Sequence, residues 1–363
     1  MQDASGGRRN IGTSDVVPIQ YLRGIAAMMV VFAHASGQFM FVTPALCDAG
    51  VSGVDLFFVI SGFVMTYTAA THDYGWRQFL VRRVVRIVPF YYVMTIVTAA
   101  LALALPMLFL TTRFTWDSFL ASLLFVPYPA PGESVIAPIL HLGWTLNFEM
   151  FFYVLFAALI WLAPWKRAGV LGAIFLGLFF CERLLHSTFA PLAFYGNPVT
   201  LEFAFGCVIG AAYVDGRFAR IPAIVSISAA ALALTLLTIG SIIDDPPGQR
   251  ELWRGLPAAI LVCAWLSADR TMPFRNAALH RLGDATYSIY LTHIFVVMAL
   301  RRVWIVFHLN HSSIAIFAFV LLSMAFAAVI GIAVYERIET RLTRFAKRAL
   351  VHRTPQPILE PVR

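Results

Sequence analysis

Long apolar runs separated by short polar stretches dominate the hydrophobic pattern of this chain. Runs of about 17–25 apolar residues have the length that crosses a bilayer as a helix. The pattern predicts ten such segments, at roughly 19–39, 51–71, 87–110, 143–163, 168–185, 198–214, 221–240, 253–268, 284–306 and 313–335. We therefore expect an all-α integral membrane protein with about ten transmembrane helices.

Lysine and arginine are distributed unevenly between the two ends of these segments. If the N-terminus is cytoplasmic, twenty basic residues lie on the cytoplasmic side and six on the other, and such an excess sets orientation. The pattern then predicts a cytoplasmic N-terminal tail (1–17), a polytopic membrane domain (18–337) and a basic cytoplasmic C-terminal tail (338–363) with both termini inside. The longest connection, 111–142, contains four prolines and lies on the outer side.

Composition and charge agree with this class. Hydrophobic residues make up 60% of the 363 residues and charged residues only 13%, against roughly 25% in soluble domains. The net charge of +8 does not indicate a nucleic-acid partner, because the basic residues cluster in loops between apolar segments. The four cysteines show no CxxC or CxxH spacing, so we expect no metal site.

Arg23 and His34 are the most informative residues, because both lie in the first apolar segment, YLRGIAAMMVVFAHA. Their separation of eleven residues places both side chains on one helix face, ~16 Å apart along the axis. Ionisable groups inside a membrane segment indicate a functional site by default. Arg23 would hold a phosphate, and His34 would act as a general base. The alternative is a snorkelling arginine and a histidine that hydrogen-bonds a neighbouring helix.

Two further segments add charged candidates. Asp55, in GVDLFFVISGF, could hydrogen-bond His34 and stabilise its cation, or it could cap the second helix. In RRVVRIVP, Arg82 adjoins Arg83, and Arg83 and Arg86 share one helix face and suit phosphate groups. The alternative for these arginines is ordinary anchoring at the inner membrane surface.

Three later segments supply candidate substrate contacts. Glu149 and Trp144 lie in HLGWTLNFEMFFYVLF, where a carboxylate among aromatics indicates a cavity or a charged partner. Glu202 begins the sixth segment, beside a GxxxG pair of packing glycines. His293, in LGDATYSIYLTHIFVV, is either a second base or a polar packing residue. We predict Glu149 as catalytic, and Trp144, Glu202 and His293 as substrate-binding.

Six segments, in order, resemble the acyltransferase family 3 membrane proteins, especially the stand-alone type that O-acetylates bacterial exopolysaccharide. They are YLRGIAAMMVVFAHA, GVDLFFVISGFVM, RRVVRIVPFYY, WTLNFEMFFYVLF, LEFAFGCVIG and LGDATYSIYLTHIF. The family's Arg-x10-His motif corresponds to Arg23 and His34, and its R-x-x-R motif to Arg83 and Arg86. The Glu-Pro pair that often follows the last span is replaced here by YERIETR, which has no proline.

The resemblance implies an enzyme of the bacterial inner membrane, with residues 18–337 as the acyltransferase domain. It implies acyl-CoA, usually acetyl-CoA, as co-substrate rather than as a permanently bound cofactor. The acceptor would be a hydroxyl of an exported glycan such as exopolysaccharide or O-antigen, and a polysaccharide synthesis or export complex is a candidate partner. His34 is then the expected catalytic residue, with Asp55 or Glu149 steadying its cation. Direct transfer and an acyl-histidine intermediate both stay open.

Three alternatives accompany this hypothesis. A transporter or exporter of a small anion or acylated saccharide would also use buried histidine and carboxylates, although no inverted repeat is visible in the sequence. A structural subunit of a polysaccharide synthase is a second alternative. The third is an acyltransferase that modifies a lipid, peptide or antibiotic, or that transfers succinyl instead of acetyl.

Overall fold

The computed structural model describes residues 16–39, 44–72, 75–105, 112–132, 135–242, 251–271 and 275–351. Within these ranges the chain forms fifteen α-helices and no β-strand. Most of the predicted tail 1–17, and residues 352–363, lie outside the described residues. The helices are α1 Val17–Ser36, α2 Pro44–Val51, α3 Gly53–Thr71, α4 Trp76–Ala104, α5 Trp116–Leu123, α6 Trp144–Ala158, α7 Pro164–Leu185, α8 Ala190–Tyr195, α9 Leu201–Val214, α10 Ala223–Ile242, α11 Leu256–Thr271, α12 Ala277–Asp284, α13 Thr286–Val306, α14 Ser313–Val334 and α15 Thr340–Val351.

The predicted all-α class is confirmed, and each of the ten predicted apolar segments overlaps a helix. Among the described residues, seven helices are long and apolar enough to cross a membrane, and Pro198–Val214 and Trp253–Ala268 are shorter apolar helices. The count of about ten spans and the cytoplasmic position of both termini therefore stay predictions. The boundaries differ most at α4, which begins at Trp76 rather than near residue 87, because the arginine-rich segment that precedes the apolar run is helical too.

Close contacts fix α1 against α12 and α13, two helices separated by Ala285 alone. A side chain at Gly24 would meet Gly283 of α12, and His34 contacts His293 of α13 further along the chain. Ten residues separate the two contacts on each side, so α1 runs parallel to the α12–α13 segment and stays in register with it. Gly53, at the start of α3, lies against the carbonyl of Ala26, so α3 begins alongside the middle of α1.

A glycine-lined crossing joins α3 to α9. Gly62 faces the backbone of Phe203 and Cys207, and Gly206 faces the backbone of Val59 and Phe63. Small residues at such a crossing let two helix backbones approach closely, which is a common way of packing helices in membranes. This contact places α3 where its other face lines the cavity described below.

Aromatic side chains fill the main core around α4, α6 and α9. Phe152 stacks on Phe203 with ring centroids 4.4 Å apart, and Phe148 stacks on Phe194 at 4.1 Å. The core is continuous with the polar cavity, because Phe58 belongs to both. Large, stiff rings of this kind hold the surrounding helices at fixed separations.

Candidate active site

A cavity of about 130 Å³ lies between α1, α3, α4, α6 and α13. Its polar lining comes from helices that are distant in sequence, and it includes the three predicted arginines of α1 and α4. The polar lining residues are Arg23, Ser61, Arg83, Arg86, Thr145, Glu149, Tyr153, Thr286, Tyr287 and Tyr290. The structure therefore brings together four of the charged residues that the sequence pattern singled out: Arg23, Arg83, Arg86 and Glu149.

Glu149 is held by hydroxyl groups inside this cavity. Ser61 of α3 donates a hydrogen bond to Oε1 of Glu149 at 3.0 Å, and Tyr153, one turn further along α6, donates to the same oxygen. Arg23 lies within electrostatic range of the carboxylate. The contacts hold the carboxylate in the cavity that the three arginines line.

A second carboxylate, Glu339, also reaches the arginines. It lies in a π-helical turn, Tyr335–Glu339, that joins α14 to α15, and its side chain is almost fully buried. Ser288 of α13 donates a hydrogen bond to Oε2 of Glu339 at 2.6 Å. Arg23 and Arg86 both interact electrostatically with this carboxylate. Isolated π-helical turns inside α-helices are frequent at functional sites.

Sequence reasoning missed Glu339, although the segment YERIETR was noted. The chain offers two glutamates there, and helical periodicity alone does not separate them. Glu336 is exposed and pairs with Arg281 at 2.9 Å, whereas the π-helical turn directs Glu339 into the protein. Three guanidinium groups and two carboxylates then give the cluster a formal charge of +1 (+3 − 2), which suits an anionic ligand.

His34 lies beyond the cavity lining, and its imidazole meets a second imidazole. Its Nδ1 is 2.9 Å from the carbonyl oxygen of Val30 and 3.4 Å from Nε2 of His293. The two rings pack edge to face, with centroids 5.0 Å apart. Tyr290, which lines the cavity, lies 6.0 Å from the His293 ring between centroids, so the histidine pair lies just behind the cavity wall.

The described contacts of His34 do not include the expected hydrogen bond to the carboxylate of Asp55. Among the described contacts, Nδ1 of His34 faces Val30 and His293 instead. The position of α3 along α1 explains this. The first residue of α3, Gly53, lies beside Ala26, and the rest of α3 continues from there toward Arg23. Asp55 is fully buried, two residues along α3 from the contact of Gly53 with Ala26, and its catalytic role stays a prediction.

Three other predicted residues also lie outside the cavity lining. Trp144 packs edge to face against Phe58 and Phe148 in the aromatic core. Glu202 is fully buried, with its side chain against Gly255, the residue immediately before α11. His293 reaches His34 but not the cavity. Their predicted roles in substrate binding stay predictions.

One family of known proteins covers most of the chain. The family described as "Acyltransferase domain" (Acyl_transf_3) matches residues 17–335. The chain belongs to this acyltransferase family. As a family member with several apolar helices, it is a multi-pass membrane acyltransferase.

Two curated relatives cover most of the chain. The exopolysaccharide production protein ExoZ of Rhizobium meliloti (strain 1021) is 36% identical over 81% of this chain and 90% of its own length. The acyltransferase MdmB of Streptomyces mycarofaciens is 28% identical over 76% of this chain and 77% of its own length. No solved structure matches the chain.

Proposed function

We propose that this acyltransferase moves an acyl group, in the first instance acetyl, from cytoplasmic acyl-CoA to a hydroxyl of an exported glycan. The observation that carries the proposal is the position of the arginine cavity at one end of α1 and of His34 ~16 Å further along the same helix. A long donor with phosphates at one end and a thioester at the other matches this separation. ExoZ, named for exopolysaccharide production, supports a glycan as acceptor.

The donor's phosphates bind in the arginine cavity. Arg23, Arg83 and Arg86 converge there from two helices, and guanidinium groups form strong paired hydrogen bonds with phosphate oxygens. Glu149 and Glu339 keep the three cations from repelling one another before the donor arrives. The basic ends of α1 and α4 lie on the cytoplasmic side in the proposed orientation, so the donor enters from the cytoplasm of a bacterial inner membrane.

The acyl end then passes the wall formed by Phe57 and Tyr290. These rings meet edge to face with centroids 6.0 Å apart, and both line the cavity. The hydroxyl of Tyr290 is engaged with Thr145 at 3.0 Å and with the carbonyl of Leu142 at 3.0 Å. The thioester arm therefore runs alongside Tyr290 to reach the histidine pair.

His34 acts as general base in the transfer. The acceptor hydroxyl oxygen attacks the thioester carbonyl, and its proton passes to Nε2 of His34. When the tetrahedral intermediate collapses, the new C–O bond is kept, the C–S bond breaks, and the departing CoA sulphur takes the proton from Nε2. A single unprotonated nitrogen thus serves both proton transfers.

The acceptor approaches from the outer side. The loop 111–142 contains α5, whose Trp116 is 69% exposed, and aromatic faces of this kind stack on sugar rings. Hydrogen bonds from Tyr91 and Tyr92 of α4 to the carbonyls of Ser122 and Leu123 fix α5 to the helix that carries the arginines. These bonds hold α5 against α4, and in the proposed orientation α5 faces the outer side.

The test uses the purified protein in nanodiscs with radiolabelled acetyl-CoA and a crude envelope-polysaccharide fraction. Wild type should bind the donor and transfer label to polysaccharide. His34→Ala should bind the donor with unchanged affinity and transfer at least about 100-fold more slowly, since general-base catalysis contributes ~10²–10⁴-fold.

His311→Ala is the matched control, because His311 is exposed in the turn before α14. It should behave as wild type. Undiminished transfer by His34→Ala would refute the mechanism, and absence of donor binding by the wild type would refute acyl-CoA as donor.

A further inference from the structure

The pairing of His34 with His293 specifies which nitrogen of each ring carries a proton. A carbonyl oxygen only accepts hydrogen bonds. Nδ1 of His293 lies 2.7 Å from the carbonyl oxygen of Tyr290 and 3.2 Å from that of Ile289, so this nitrogen is the protonated one. In the neutral ring, Nε2 of His293 is then an acceptor, and it faces His34.

The same reasoning applies to His34. Its Nδ1 lies 2.9 Å from the carbonyl oxygen of Val30, so Nδ1 carries the proton and donates it. The acceptor nitrogen of His293 lies 3.4 Å from the same Nδ1 and shares that proton. Nε2 of His34 is left as the unprotonated nitrogen, and no described residue hydrogen-bonds to it.

We propose that His293 is a positioning residue for His34: its neutral imidazole accepts the Nδ1 proton, holds the ring, and leaves Nε2 free as the base. This inference rests on the proposed role of His34. When Nε2 takes the proton of the acceptor hydroxyl, the positive charge is shared with the Nδ1–H bond, and Val30 and His293 stabilise it. His293 thus does the work that a carboxylate does in a Ser-His-Asp triad, but without a negative charge.

The alternative roles for His293 do not fit its surroundings. Its side chain is fully buried, one ring nitrogen donates to carbonyls of its own helix, and the other faces His34. Neither nitrogen is left for a substrate hydroxyl or a thioester. The sequence pattern left open a substrate contact, a second base or a packing residue, and the present proposal instead gives His293 a role that acts through His34.

The framework that supports the pair is rigid. The parallel packing of α1 along α12 and α13 holds the two histidines side by side, and the contact of Gly24 with Gly283 of α12 sets that register ten residues earlier. Since both rings are also bonded to the preceding turn of their own helices, each has one orientation. A fixed ring is what a general base needs in order to face the same point in every turnover.

The first test is independent of activity. The nine histidines of the protein are labelled with ¹⁵N, and the resonances of His34 and His293 are assigned by their loss in His34→Ala and His293→Gln. Without donor, His34 should carry its proton on Nδ1 and show an unprotonated Nε2, and His293 should show the same tautomer. A proton on Nε2 of His34 would overturn the proposal.

The second test compares two substitutions of the same residue. His293→Leu fills the space without an acceptor, whereas in His293→Gln the side-chain oxygen can take the place of Nε2. Losing one neutral hydrogen bond should lower kcat of the leucine variant about tenfold with the KM for acetyl-CoA unchanged. The glutamine variant should stay within about threefold of wild type.

The matched control is Thr292→Val, because Thr292 is buried beside His293 and, among the described contacts, its hydroxyl donates to the carbonyl of Ser288 in its own helix. It should leave kcat unchanged. Wild-type activity in His293→Leu would overturn the proposal, and so would an equal loss in the leucine and glutamine variants, which would indicate packing alone. If wild type transfers no acyl group, the proposed function fails, while the NMR result still decides the hydrogen-bond arrangement.

Discussion

Substitution of Gly206 by alanine tests whether the packing of α3 on α9 sets the geometry of the cavity. A Cβ at Gly206 would lie 2.8 Å from the amide nitrogen of Phe63 and 2.9 Å from the Cα of Gly62, and closer still to the carbonyl oxygen of Val59. All three atoms are backbone, so no side chain can rotate away. The two helices must separate.

The cost follows from these contacts. Overpacking typically destabilises by ~1–3 kcal/mol, and rigid backbone neighbours place this site at the upper end. Alanine regains ~1 kcal/mol of helix propensity over glycine, which leaves a net destabilisation of about 2 kcal/mol. At ~2–4 °C per kcal/mol, the unfolding midpoint should fall by about 4–8 °C.

Activity should fall as well, because α3 carries Ser61, which holds Glu149 in the cavity. Misplacement by about 1 Å can cost up to ~100-fold in rate. The assay is thermal unfolding in detergent together with acetyl transfer well below the midpoint. The control is Gly177→Ala, on an exposed position of α7 where no atom lies within 4 Å of the new Cβ. A Gly206→Ala protein as stable and active as Gly177→Ala would refute the reasoning.

Two further substitutions test the arginine cluster. Arg86→Gln should raise the KM for acetyl-CoA about 10–100-fold, the equivalent of one charge-assisted hydrogen bond, whereas Arg77→Gln, exposed on the same helix, should not change it. Glu339→Gln keeps an acceptor for Ser288 but raises the charge of the cluster, so kcat should fall by up to about tenfold without an increase in KM. Steady-state kinetics checks both, and a rise in KM at constant kcat for Glu339→Gln would contradict its role in offsetting the repulsion between the arginines.

The sequence predicted the helices and the arginines of the cavity well, because both depend on local patterns. Apolar length identified each membrane-length segment, and the spacing of Arg83 and Arg86 placed both on one helix face, where the structure has them lining the cavity. Helical periodicity also aligned Arg23 with His34. These inferences need only the geometry of a single helix.

The partners across helices could not be predicted in the same way. Asp55 was the predicted partner of His34, whereas the described contact is with His293, and that outcome depends on how the helices are staggered along α1. Glu339 depends on a local change from α- to π-helical winding, which rotates the side chain relative to the regular pattern. Neither the register of two helices nor a one-residue insertion in a helical turn leaves a periodic signal in one sequence.

One helix, α13, connects the two ends of the site. Over seven residues its side chains hold four different partners: Tyr287 donates to the carbonyl of Ile87 in α4, Ser288 to Glu339, Tyr290 to the carbonyl of Leu142, and His293 faces His34. Because a helix transmits position rigidly over such a length, the arginine cluster and the base cannot shift independently. Two parallel helices, α1 and α13, therefore each fix the distance between the proposed phosphate site at the arginines and the proposed base, His34. A donor shortened between its phosphates and its thioester should accordingly bind at the arginines and fail to react.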